Sequence, residues 1–138
     1  MHRDLATLFK VRLGFFVVLS AVLGWFMATD TMDLKTFLVL SLGGYALTGA
    51  SNGFNQILER KEDSLMSRTQ NRPLPSGRMT VQQAIVWSSL AGVVGLGSLF
   101  SLNPLSGWLG LAAMASYVLA YTPMKKRSSL CVFIGAFP

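Results

Sequence analysis

Long stretches without any charged residue are the feature that most constrains the fold of this chain. The three stretches are Leu13–Thr29, Thr36–Leu58 and Met79–Met124. A helix needs about 20 apolar residues to cross the roughly 30 Å hydrocarbon layer of a membrane, and each stretch is close to that length or longer. Only 13% of the residues are charged, against about 25% in soluble domains. The sequence therefore predicts an all-α, polytopic transmembrane helix bundle in a lipid bilayer.

Turn sequences divide these stretches into four complete spans and the start of a fifth. The third stretch is too long for one crossing, and Asn103-Pro-Leu-Ser-Gly107 is a turn sequence within it. Thr80-Val-Gln-Gln83 resembles a capping box and predicts the start of the third span. The predicted spans of this single transmembrane domain, residues 1–138, are 13–29, 36–58, 81–102 and 105–122, with a fifth starting near 129.

The distribution of basic residues predicts the orientation of the bundle. Eleven of the 12 Lys and Arg residues lie at the N-terminus, in the hydrophilic loop 59–78 or just after the fourth span, and Lys35 alone lies on the other side. Basic residues are enriched on the cytoplasmic side of membrane proteins. We therefore expect the N-terminus and the loop on the cytoplasmic side of an inner membrane, or on the matrix side in an organelle. The net charge of +6 then reflects topology rather than nucleic-acid binding.

Polar residues at the cytoplasmic end of the second span form a candidate site for a metal ion and a diphosphate. Asn55, Glu59 and Asp63 stand four residues apart, which places them on one face of a helix. Mg²⁺ prefers oxygen ligands and usually shares them with substrate phosphates. Arg68 and Arg72 follow, and guanidinium groups suit forked phosphate contacts. The pattern predicts a Mg²⁺ site at the first three residues, beside two phosphate-binding arginines.

Further polar residues on the same side support this interpretation. Asn52 lies inside the apolar stretch, where polar side chains are costly and tend to be functional. Tyr121 and Lys125, at the end of the fourth span, could hold a diphosphate, although both residue types are common at membrane interfaces. A solvated loop that only sets topology is the alternative, but acids contribute little to orientation.

The second helix is predicted to continue beyond the membrane edge to about Leu65. Pro73 and Pro75 then predict an extended turn before the third span. The second span is rich in small residues, which either permits close packing against other helices or leaves room for a bulky ligand.

These motifs together resemble the UbiA superfamily of intramembrane prenyltransferases. The first aspartate-rich motif of that family, an Asn followed at the fourth and eighth positions by acids, matches Asn55, Glu59 and Asp63, with Glu at a position where Asp is more frequent. Three more segments carry the resemblance: Arg68-Thr-Gln-Asn-Arg-Pro-Leu74, the Tyr121 and Lys125 pair, and Ile134-Gly-Ala-Phe-Pro138. Within the superfamily the chain is most similar to the heme O synthase branch.

The resemblance implies farnesyl diphosphate as the donor, heme B as the acceptor and Mg²⁺ as the cofactor. It implies catalytic, metal-binding roles for Asn55, Glu59 and Asp63, with Asn52 in support. The diphosphate-binding residues that it implies are Arg68, Arg72, Tyr121 and Lys125. Members of the family are longer and carry a second aspartate-rich motif, so we expect this chain to correspond to their N-terminal part.

Two other functions are compatible with the same residues. Another aromatic acceptor, such as 4-hydroxybenzoate in quinone synthesis, would use the same donor site. A non-enzymatic membrane subunit or transporter would instead use the polar helix end to line an ion path.

Overall fold

The computed structural model describes residues 1–125 and 127, and the regular secondary structure of this part is entirely helical, as predicted. The fifth span predicted from residue 129 and the segment Ile134–Pro138 lie outside the described residues. The helices are α1 (His2–Leu8), α2 (Val11–Ala28), α3 (Leu34–Leu58), α4 (Arg60–Leu65), α5 (Val81–Leu102), α6 (Pro104–Ala115) and α7 (Thr122–Met124), with a π-helical segment, Ser116–Tyr121, between the last two.

Three helical stretches are long and apolar enough to cross a membrane: Val11–Ala28, Val81–Leu102 and Pro104–Met124. They overlap the predicted spans 13–29, 81–102 and 105–122. Helix α3 has 25 residues, which is long enough to cross, but it is not among the three. Its composition is less apolar because it contacts α2, α5 and α6 and carries buried amides and glycines. The second span, 36–58, therefore stays a prediction.

The helix boundaries follow from local capping. Asp33 accepts hydrogen bonds from the backbone N–H groups at the start of α3. Thr80 and Gln83 form the predicted capping box at the start of α5, and the Asn103 side chain accepts from the Ser106 N–H to begin α6. Side-chain oxygens at these positions satisfy N–H groups that have no partner inside a helix.

Helix α3 packs most extensively against α5, and small residues make the contact close. A Cβ atom built on Gly95 would lie 2.6 Å from the backbone nitrogen of Leu47 and 2.9 Å from the carbonyl oxygen of Gly43. Small residues at helix interfaces allow this kind of backbone approach in membranes. The small residues of the second predicted span therefore serve packing, at least along the face that α3 turns toward α5.

Helix α1 and the loop after α4 close one end of the bundle. Leu8, Ile57, Met79 and Ala84 form a buried cluster that joins α1, α3, the loop and α5. The prediction of an extended turn at the prolines was wrong. The loop folds back in successive turns, and the Met79 N–H donates to the Pro73 carbonyl at 3.0 Å. This compact course is possible because Pro73 is itself buried, so the loop gains apolar contacts by folding against the helices.

Candidate metal and diphosphate site

The predicted row of polar side chains is preserved across the junction of α3 and α4. The α-helix is interrupted at Glu59, whose φ and ψ are −91° and 5°. The Glu59 N–H nevertheless donates to the Asn55 carbonyl at 2.9 Å, and the Asp63 N–H donates to the Glu59 carbonyl at 2.8 Å. The three side chains therefore still follow one another at intervals of one turn, and all three residues are buried.

The Glu59 carboxylate is held from two sides. Asn55 donates from Nδ2 to one carboxylate oxygen, Oε2, at 3.0 Å. Lys125 approaches the other oxygen, with Nζ at 3.4 Å from Oε1. Because Lys125 follows the last described helix, this ion pair links that part of the chain to the junction of α3 and α4.

The Asp63 carboxylate is paired with an arginine of the folded-back loop. Arg72 donates from Nη1 to Asp63 Oδ2 at 2.7 Å. The hydroxyl of Thr69 donates to the backbone carbonyl of Asp63 at 2.9 Å. The turns of the loop therefore bring Arg72 to the end of α4, where a buried carboxylate needs a cation.

Asn55 is oriented by Thr122, a residue that the sequence analysis did not single out. The Thr122 hydroxyl lies 2.8 Å from Asn55 Oδ1, and it also lies 2.9 Å from the Tyr117 carbonyl. Its position follows from the π-helical segment that precedes it, since wide turns of this type shift the side chains that come after them, and they are frequent at functional sites. The one sequence feature that could have indicated Thr122 as a site residue is its position between Tyr121 and Lys125.

Two predicted diphosphate ligands lie outside this hydrogen-bonded cluster. Arg68 is exposed, and its side chain has no hydrogen bond or ion pair with residues 1–125 or 127. The ring of Tyr121 stacks on that of Tyr117, with centroids 5.4 Å apart and an angle of 13° between the planes. Their roles as diphosphate ligands stay predictions.

The amides next to the acid row fasten helix α1 to α3. Gln56 donates from Nε2 to the carbonyls of Thr7 and Leu8 at 3.0 and 2.8 Å. Asn52 donates to the Thr48 carbonyl at 3.0 Å and lies 3.5 Å from the Phe9 carbonyl. Gln56 was not predicted as a site residue, although it is a further amide in the same apolar stretch. The supporting role of Asn52 in the site stays a prediction.

The donor set suits Mg²⁺ but is partial. Within the described residues, no group of three or more His, Cys, Asp or Glu side chains could hold a metal ion. Glu59 and Asp63 supply two buried carboxylates, and each is neutralised by a cation. The Oδ1 atom of Asn55 accepts one hydrogen bond from Thr122, and an amide oxygen has a second lone pair. These three residues thus fit a hard divalent ion that receives further oxygen ligands from elsewhere.

A mainly apolar cleft lies within the bundle. It has a volume of about 250 Å³ and lies between α2, α3 and α6. Asn52 and Tyr117 are among its polar lining residues. The residues that line its sides are Leu13, Val17, Leu47, Thr48, Ser51, Gly110, Ala113 and Met114.

Several curated proteins are similar to this chain over nearly its whole length. A protein named protoheme IX farnesyltransferase from Christiangramia forsetii is 47% identical over 98% of this chain and 45% of its own length. Proteins of the same name from Flavobacterium psychrophilum and Cytophaga hutchinsonii are 41% and 44% identical, over 47% and 46% of their lengths. The chain spans about half the length of these curated relatives. No solved structure matches the chain significantly.

A protein-family model matches most of the sequence. The model of the UbiA prenyltransferase family matches residues 14–138. The matched region includes most of α2, all of the acid row and its cationic partners. Together with the three apolar helices, this match identifies an integral membrane protein, and the chain belongs to the UbiA prenyltransferase family.

Proposed function

We propose that this chain provides the donor-binding part of a protoheme IX farnesyltransferase, which transfers the farnesyl group of farnesyl diphosphate to a vinyl group of heme B and so produces heme O. One observation carries the proposal: the buried carboxylates of Glu59 and Asp63 are paired with Lys125, from the distant segment after α7, and with Arg72, from the loop after α4. The names of the relatives at 41–47% identity favour this reaction among those of the family.

The ion pairs of the site explain how it receives a diphosphate. The two acids and their two cationic partners balance each other in charge. The family is generally metal-dependent, and Mg²⁺ held by Asn55, Glu59 and Asp63 would neutralise the acids and the diphosphate oxygens. Lys125 and Arg72 can then exchange carboxylate oxygens for phosphate oxygens, and guanidinium and ammonium donors are well suited to that contact.

The cations act where negative charge develops. The bond between the allylic carbon and the diphosphate oxygen breaks, and its electron pair stays on the leaving diphosphate. Lys125 and Arg72 stabilise this charge because they are already oriented in a partly buried site. The vinyl π electrons of the acceptor form the new carbon–carbon bond. Water then captures the resulting cation and loses a proton, which gives a hydroxyethylfarnesyl side chain.

The apolar cleft suits the prenyl chain. Asn52, which precedes Asn55 by one turn of α3, is one of its lining residues, and most of its surface is apolar. Apolar ligands gain free energy by leaving water for such a cleft. The same walls keep water away from the allylic cation, so that the vinyl group of the acceptor reacts first.

The proposed site faces the cytoplasm, or the matrix of an organelle, because it carries the basic residues that are enriched on that side. Single cysteines at Lys61 and Thr31, in a protein whose Cys131 is replaced by Ser, would test this. In intact cells a membrane-impermeant maleimide should label the second position and not the first. The opposite labelling would contradict the proposed orientation.

The activity is tested in the full-length protein by extracting hemes from cells and measuring heme O by mass spectrometry. Asp63→Ala and Arg72→Ala should abolish heme O. Lys61→Ala, which removes an exposed charge from α4, should leave the yield unchanged. Near-normal heme O from either site variant would contradict the site assignment. A prenylated 4-hydroxybenzoate in place of heme O would contradict the acceptor, and ion-coupled flux without prenyl transfer would contradict the enzyme class.

A further inference from the structure

Lys10, at the corner between α1 and α2, has an unusual backbone conformation. Its φ and ψ are 48° and 54°, in the left-handed region, and it is the one residue other than glycine with a positive φ within the described ranges. An L-residue with a long side chain is unfavourable there, and Gly or Asn is the usual choice. Strained backbone of this kind persists where the surroundings enforce it, and it is concentrated at functional sites.

The corner is fastened directly to the helix that carries the acid row. The carbonyls of Thr7 and Leu8 accept hydrogen bonds from Gln56, and the carbonyl of Val11 accepts one from the Tyr45 hydroxyl at 3.1 Å. Gln56 precedes Glu59 by three residues, so the two share a face of the helix. These bonds hold Lys10 on the side of α3 where the acids lie.

The charges around Lys10 are those of the site. Burial is the main reason why the pKa of Lys10 lies below its usual value. Arg72 and Lys125 lower the pKa further, whereas Glu59 and Asp63 raise it. The ammonium group is therefore within electrostatic range of all four groups of the proposed diphosphate site.

Lys10 differs from the other two cations in forming no ion pair with a described residue. Arg72 and Lys125 each pair with a carboxylate, but the side chain of Lys10 makes no hydrogen bond or ion pair with any described residue. A half-buried ammonium without a partner is costly. Since the acids nearby are already paired, a bound anion is the partner that would offset this cost.

We propose that Lys10 is a further binding residue for the prenyl donor and that its ammonium group donates to an oxygen of the diphosphate. The inference rests on the proposed function of the site. The two carboxylates and their two cationic partners balance each other in charge, and Lys10 adds a positive charge to that of Mg²⁺ for binding a multiply charged anion. The left-handed backbone is then the consequence of the sharp turn that keeps Lys10 on the side of α3 where the acids lie.

Lys10→Asn separates the binding role from the backbone strain. Asn tolerates the left-handed conformation, so the thermal stability of the full-length protein in detergent should be equal or higher. Its affinity for farnesyl diphosphate, measured by calorimetry with Mg²⁺ present, should fall by about tenfold or more, the loss expected for one hydrogen bond to a charged group. Lys10→Arg should retain most of the affinity, and Lys61→Gln, an exposed control on α4, all of it.

The outcomes distinguish this inference from the proposed function. If the unaltered protein binds neither farnesyl diphosphate nor inorganic pyrophosphate, the proposed function is wrong. If the unaltered protein and Lys10→Asn bind these two ligands equally well, the proposed binding role of Lys10 is wrong. An increase in the KM for heme with unchanged diphosphate affinity would assign Lys10 to a carboxylate of the acceptor and overturn the proposal. Joint loss of binding and thermal stability in Lys10→Asn would identify a purely structural residue.

Discussion

Arg72 and Asp63 form a shorter and more enclosed ion pair than Lys125 and Glu59. The first pair is 2.7 Å long, with side chains 21% and 7% exposed. The second is 3.4 Å long, and the Lys125 side chain is 53% exposed. Exposed ion pairs contribute little to stability, whereas breaking a buried pair leaves an uncompensated charge. We infer that the Arg72 pair holds the loop on α4 and that the Lys125 pair opens more readily to a ligand.

A double-mutant cycle tests the structural part of this difference. Asp63→Asn and Arg72→Gln should each destabilise the folded protein, and the double variant should lose less than the sum of the two, with a coupling free energy of about 1.5–3 kcal/mol. The matching cycle with Glu59→Gln and Lys125→Gln should give a coupling below about 1 kcal/mol. Both are measured by denaturant unfolding of the protein in detergent. Equal couplings would contradict the ranking of the two pairs.

Thr122 should stabilise the site through its hydroxyl rather than its shape. Thr122→Val keeps the volume but leaves Asn55 Oδ1, a buried acceptor, without its donor. An unsatisfied buried polar group costs about 1–3 kcal/mol, so the free energy of unfolding should fall by that amount. Thr122→Ser retains the hydroxyl, so its free energy of unfolding should fall by clearly less than that of Thr122→Val. If Val and Ser variants unfold alike, the hydrogen bond to Asn55 contributes nothing.

Local periodicity explains which parts of the site could be predicted from the sequence. Asn55, Glu59 and Asp63 line up because the backbone bonds of a helix repeat within four residues, so their spacing alone determines their common face. The start of α5 at Thr80 and Gln83 was likewise predicted, since a capping box uses residues three apart.

Contacts between distant segments could not be predicted in the same way. The hydrogen bond from Thr122 to Asn55 depends on a π-helical segment that no local sequence pattern predicts. The corner at Lys10 depends on Gln56, 46 positions away in the chain. Arg68 is exposed, whereas Arg72 is partly buried, because of the turns of the loop that carries both. The prolines of this loop had predicted an extended course instead. Each of these depends on tertiary packing rather than on residue spacing.

Asp33 should make the start of α3 sensitive to acid. The Thr36 hydroxyl, followed by the backbone N–H groups of Thr36 and Lys35, lowers the pKa of this carboxyl in the folded protein. A carboxyl whose pKa is lower when folded contributes stability above its unfolded value, near 3.8, and loses that contribution as pH falls through the folded pKa. The melting temperature of Asp33→Ala should therefore lie below that of the unaltered protein at pH 6 and approach it below about pH 4.

The Asp33 control is Asp33→Asn, which still caps the helix without ionising. Its melting temperature should follow a flatter course with pH than that of the unaltered protein. A constant difference between the unaltered protein and Asp33→Ala over the whole pH range would contradict the role of ionisation.

Gly95 and Gly97 form a matched pair for testing the contact between α3 and α5. Both lie in α5, but a Cβ atom on Gly95 would meet the backbone of Leu47 at 2.6 Å, whereas one on Gly97 meets nothing within 4 Å. Backbone atoms cannot rotate away, so Gly95→Ala must separate the two helices. Gly97→Ala only gains the helix propensity of alanine, about 0.5–1 kcal/mol.

We therefore expect opposite signs for the two alanine variants. Gly95→Ala should lower the melting temperature of the detergent-solubilised protein and displace the acid row, so that diphosphate binding falls as well. Gly97→Ala should leave binding unchanged and raise the melting temperature slightly. Since α3 carries Asn55 and ends directly before Glu59, a Gly95→Ala protein that melts and binds like the unaltered one would mean that the site does not depend on the close approach of α3 to α5.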